Sequence, residues 1–148
     1  MMFRKILCPI DFSESSREAL KAAARLATYE VAELTLMHVW QSTIRLSEET
    51  LMHSDVLEYE RNQAQAGLAA AKAEVESLGA KAVSSKLVTG VPWKAIVDEV
   101  ASNPVYDLLV MGTHGRTGIM RALLGSVAER VARHAECPVL LVRNRPAG

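Results

Sequence analysis

Five short apolar runs punctuate the chain, at residues 3–10, 33–40, 81–89, 106–111 and 138–143, and every gap between them is long enough for a helix. Two of the runs, Leu108-Leu109-Val110-Met111 and Val139-Leu140-Leu141-Val142, have no polar side. A strand with one wet face alternates. A strand covered on both faces reads as a continuous apolar run, the usual condition of a parallel sheet. Parallel strands need long crossovers, and the gaps supply them.

The gaps carry helical periodicity. In the first, about 13–29, Ala19, Leu20, Ala23, Ala24, Leu26 and Ala27 share one side. In the second, about 54–78, Leu57, Ala64, Leu68, Ala71, Val75 and Leu78 step by sevens, fours and threes, which is one helical stripe. Gly79 follows as a stop. A third helix is expected over 92–101, opened by Pro92, with Trp93, Ile96, Val97 and Val100 on its inner face. A fourth is expected over 127–134. The order βαβαβαβαβ predicts a single α/β domain over 1–148, an open five-stranded parallel sheet with helices on both faces. Such sheets take ligands beyond the carboxyl ends of their strands, where the strand order reverses. The polar stretch 41–53 is read as a mobile loop beside that face.

Composition narrows the partners. Lys+Arg and Asp+Glu are 17 each, so there is no basic surplus for nucleic acid or an anionic membrane. No stretch approaches the roughly 20 apolar residues of a membrane span, and the first residues lack the pattern of a signal peptide, so a soluble cytoplasmic protein is expected. Cys8 and Cys137 lie in apolar surroundings and read as reduced core thiols. No pair of histidines or cysteines has metal-ligand spacing.

The most informative segment follows the fourth run: Met111-Gly112-Thr113-His114-Gly115-Arg116-Thr117-Gly118, then Arg121 and Gly125-Ser126 before a helix. No acid occurs over 108–128, while Arg116 and Arg121 do. Glycines let successive N–H groups converge on an anion, and a helix N-terminus adds donors and partial positive charge. A second reading needs no ligand: Ser126-x-x-Glu129 is a capping box, and Gly112 and Gly115 form a turn. There is no Walker loop and no Gly-x-Gly-x-x-Gly after the first strand.

Gly112-x2-Gly115-x9-Gly125-Ser126 resembles the signature of the universal stress protein family. Ile6-Leu7-Cys8-Pro9-Ile10-Asp11, His38-Val39, Gly90-x-Pro92 and Cys137-Pro138-Val139-Leu140-Leu141-Val142 agree with it in order along the chain. The resemblance implies strand order 3-2-1-4-5 and the branch of the family that binds ATP, any Mg²⁺ being held by the phosphates. Carried over by position, Asp11 and the Val39 backbone would hold the adenine, and Pro9 and Gly112 would lie near the ribose. Gly115, Gly125, Ser126 and Val127 would cradle phosphates, with His114 beside them in the loop. It also implies a homodimer through the fifth strand, Val139, Leu140, Leu141 and Val142.

Individual residues keep a structural reading beside the functional one. Asp11 is either a nucleotide contact or, with Glu14, a helix cap. His38 reads as a satisfied core histidine, and Trp40 as a border of the base pocket or edge packing. Arg116 and Arg121 are phosphate clamps or surface charges. The expected function is a nucleotide-dependent regulator in the stress response. The alternatives are a nucleotide-independent dimeric module and a slow ATPase in which His114 is the one in-loop base. Asp11 lies at the base end, the wrong end for hydrolysis, so the chain is expected not to be an enzyme.

Overall fold

The computed structural model describes residues 2–41, 54–114 and 124–144. The elements are β1 (Lys5–Pro9), α1 (Glu14–Glu30), β2 (Glu33–Trp40), α2 (Ser54–Ser77), β3 (Ala82–Thr89), α3 (Pro92–Ser102), β4 (Leu108–Gly112), α4 (Ser126–His134) and β5 (Val139–Val142). The sheet order is β3-β2-β1-β4-β5, and every neighbouring pair is parallel. This is the expected α/β architecture.

The continuous apolar runs are explained by two cores, one on each side of the sheet. On one side Ile6, Cys8, Leu34, Leu36, Leu108 and Val110 pack under α1 and α2. On the other, Leu7, Met37, Leu109 and Met111 pack under Ile96 and Val100 of α3 and Ala128 and Val131 of α4. Successive residues of one strand point to opposite faces, so the buried positions of β1 and β4 are apolar on both sides of the sheet. The apolar stripes of the helices follow suit. Ala19, Leu20, Ala23, Ala24 and Ala27 of α1 are buried, as are Ala64, Leu68, Ala71 and Val75 of α2. Leu78, the last member of the predicted α2 stripe, lies past the helix end and is exposed.

Cys137 corrects one expectation. It is only half-buried, against the edge of the second core, whereas Cys8 is fully buried. Position explains the difference: Cys8 lies in the central strand, and Cys137 just before the edge strand β5. Among the described residues, no helix is long and apolar enough to cross a membrane. The loop expected at 41–53 lies, apart from Gln41, outside the described residues.

The strand order reverses between β1 and β4. Their carboxyl ends, Pro9 and Gly112, therefore open the crevice where a doubly wound sheet takes a ligand.

Candidate functional site

On the β1 side the chain turns into α1 through three linked hydrogen bonds. The Ser13 N–H donates to Asp11 Oδ1 at 2.9 Å, and the Ser16 N–H donates to Ser13 Oγ at 3.1 Å. The Asp11 N–H donates to Ser16 Oγ at 3.0 Å. The N-cap of α1 is thus Ser13, not Asp11. The Asp11 carboxylate reaches two residues on in an Asx turn, which forms because a short side-chain acceptor lies within reach of that N–H. Phe12, between them, is held at φ 66°, in the left-handed region.

On the β4 side the strand end is wired to three elements. The Thr113 N–H donates to the Val142 carbonyl at the end of β5 (3.2 Å), and the Thr113 carbonyl accepts from the Gly125 N–H at 2.7 Å. The His114 N–H donates to Ser15 Oγ of α1 at 3.2 Å. Gly112 is a glycine for a steric reason. A Cβ there would lie 2.7 Å from the Ser15 backbone, with the Ser15 hydroxyl in the same space. The helix N-terminus therefore approaches β4 as closely as a bare backbone allows.

His114 Nδ1 pairs with the buried Thr113 hydroxyl at 3.0 Å, and Nε2 is buried with no hydrogen-bond partner among the described residues. A buried polar atom of this kind is uncommon and calls for a partner. The start of α4 makes the same demand. Its N-cap is Gly125, with no side-chain cap. The capping box expected from Ser126 and Glu129 does not form, because a capping hydroxyl must stand one residue before the helix and Ser126 is already its first residue. The first-turn N–H groups of α4 thus remain available to a ligand as far as the described residues show.

Both sides border one open cleft of about 1750 Å³. Its lining brings together Asp11, Val39, His114, Gly125, Ser126 and Val127 of the predicted site. Trp40 lines it as well. Pro9 and Gly112, at the strand ends, are not in that lining. Gly115, Arg116 and Arg121 lie outside the described residues. The cleft exceeds the roughly 300–1,000 Å³ of small-molecule sites because it continues between α1 and α2, past Arg17, Gln63 and Ala70. His38 is the buried core histidine expected. Its Nδ1 donates to the Ile10 carbonyl at 2.7 Å, and its ring also reaches the cleft. The described residues hold no group of three metal-ligating side chains.

Four contributors escaped the sequence reading: Phe12, Ser15, Thr113 and Gly67 of α2. The Phe12 ring lies 4.5 Å from the His38 ring, and its tip sits over Gly67. A lone glycine inside the helical pattern of α2 was the available signal.

A sequence profile described as the universal stress protein family matches residues 2–143. The chain is 38% identical over 144 residues to universal stress protein MJ0531 of Methanocaldococcus jannaschii, covering 96% of this chain and 83% of that one. The solved universal stress protein UspA from Lactobacillus plantarum superposes with a TM-score of 0.87 at 26% identity, over 97% of this chain and 99% of that one. A solved universal stress protein in complex with cAMP gives a TM-score of 0.74 at 27% identity, over 96% of this chain and 98% of that one.

Proposed function

The chain belongs to the universal stress protein family, and from that premise we propose that it is an ATP-binding homodimer, a nucleotide-dependent regulator of the cytoplasmic stress response and not an enzyme. One observation carries the reading: unmet hydrogen-bonding capacity at the end of β4. His114 Nε2 is buried without a partner among the described residues, α4 begins without a side-chain cap, and both border one cleft. A buried polar atom and a bare helix N-terminus both suit an anionic group. The relative solved with cAMP supports an adenine nucleotide as the ligand class.

In this reading Asp11 and the Val39 backbone hold the base, and Pro9 and Gly112 flank the ribose. His114, Gly115, Gly125, Ser126 and Val127 hold the phosphates. A Mg²⁺ ion accompanies the phosphates and keeps most of its waters. Hydrolysis is slow, because phosphoryl transfer needs a positioned water and a base matched to it. His114 is the candidate base, and its Nδ1 is already engaged by the Thr113 hydroxyl.

A nucleotide-independent dimeric module is favoured by one observation, since Gly112 is demanded by Ser15 with or without a ligand. One experiment separates the two. Protein purified without added nucleotide is denatured, and the released small molecules are identified by chromatography and mass spectrometry. Adenine nucleotide near one per chain is expected. An empty protein that also fails to bind ATP with Mg²⁺ overturns the nucleotide reading and leaves the module.

A further inference from the structure

Two local conflicts between sequence and backbone touch each other in the cleft wall. Phe12 is a bulky residue at φ 66°, where glycine or asparagine is at ease. Gly67 lies inside α2, where alanine would be the better helix former. Each explains the other. A Cβ on Gly67 would lie 2.6 Å from Phe12 Cζ and 2.7 Å from Cε1. The glycine is therefore the room the ring occupies. His38 holds the ring from another side, with centroids 4.5 Å apart and planes at 39°. Burial does not account for such a clamp, because Phe12 is 41% exposed. The residue lines the cleft with Asp11, His38 and Val39. Strain that persists at a cleft wall, without a core to fill, belongs to function.

We propose that Phe12 is the residue on which the ligand's planar base stacks, and that Gly67 of α2 is the positioning residue that seats its ring. Aromatic rings attract base faces, and a ring already fixed loses little freedom on binding. The assignment rests on the adenine-nucleotide reading and adds to it a selector for an aromatic base, separate from the phosphate-binding loop.

The test compares the parent with Phe12→Gly, Gly67→Ala and the double variant. Calorimetry uses ATP with Mg²⁺ and, as the base-free probe, inorganic tripolyphosphate. Phe12→Gly weakens ATP binding by about tenfold or more. Its tripolyphosphate affinity stays within about twofold, since the phosphate loop is untouched. The fall in adenine ultraviolet absorbance that stacking causes in the parent disappears. Gly67→Ala weakens ATP binding when Phe12 is present and adds nothing in the Phe12→Gly background. The double variant melts no lower than the parent, since it relieves the left-handed strain and improves the helix, so its loss of ATP affinity is not unfolding. Unchanged ATP affinity and absorbance in a folded Phe12→Gly variant overturns the proposal. An equal loss of ATP and tripolyphosphate overturns it as well. A parent that binds no ATP overturns the nucleotide reading itself, which the variants leave untouched.

Discussion

At the scale of single residues, the most exacting position is Gly112. Its hydrogen stands where any Cβ would meet the Ser15 backbone at 2.7 Å. Gly112→Ala forces α1 away from β4 and is expected to lower stability by about 2–3 kcal/mol, read from urea unfolding. Gly125 is different. Its φ of −62° and ψ of 157° require no glycine, so Gly125→Ala should cost only about 1 kcal/mol, the preference of an N-cap for glycine over alanine. A loss of ATP affinity in that variant would then locate the requirement for glycine in the ligand. The two glycines share one motif, and nothing in the sequence distinguishes them. Gly112 answers to a residue 97 positions earlier, a proximity that only the folded sheet creates.

Cys8 illustrates the opposite case, a residue whose burial was legible from its apolar run. Burial pushes its thiol up from 9.0 to about 12. The native chain thus keeps a proton that the unfolded chain releases above pH 9. Stability is undiminished below that pH and falls as pH rises toward 12, by about 4 kcal/mol in all. Burial raises Tyr106 too, which acts in the same direction. Urea midpoints measured between roughly pH 8 and pH 10.5 should fall less steeply in Cys8→Ala than in the parent. Native iodoacetamide treatment should label half-buried Cys137 and spare Cys8 until the chain unfolds, as mass spectrometry will record.

Elements were the most legible scale, because periodicity reports burial directly. The α1 stripe and the inner face of α3 fall where the spacing predicts. Cap chemistry was harder, since one residue of shift changes which atom does the capping. Ser126 has the right type and sits one residue too late, and Asp11 sits two residues too early and takes up an Asx turn instead. The C-terminus of α1 ends on Val31 at φ 55°, a β-branched residue in the left-handed region and 76% exposed. No contact offsets its strain by burial. Val31→Gly is therefore expected to raise stability by about 1 kcal/mol, seen as a higher Tm.

For the whole molecule, the sheet order followed from the family resemblance and not from the apolar runs, which tell that strands are covered but not who their neighbours are. The edge at β5 bears on assembly. Among the described residues this strand pairs only with β4, and Leu140 is 40% exposed. An apolar edge of this kind invites a second copy, and pairing across a two-fold axis closes it. Leu140→Lys, at the exposed position of that edge, should give monomer. An unchanged dimer by light scattering would move the seam elsewhere.

Thr113 sits between the two events. Its amide holds the end of β5 and its carbonyl holds the start of α4, while the next residue reaches into α1. A single residue therefore ties the end of the edge strand to the start of α4 at the rim of the candidate site. In the proposed reading, binding of a nucleotide and docking of a second copy would both bear on Thr113. Any factor by which an occupied loop strengthens self-association is the factor by which self-association strengthens occupancy. On the proposed reading, the concentration of the protein itself would then raise the affinity of its site, and a higher copy number would sharpen the response without altering one atom of the cleft.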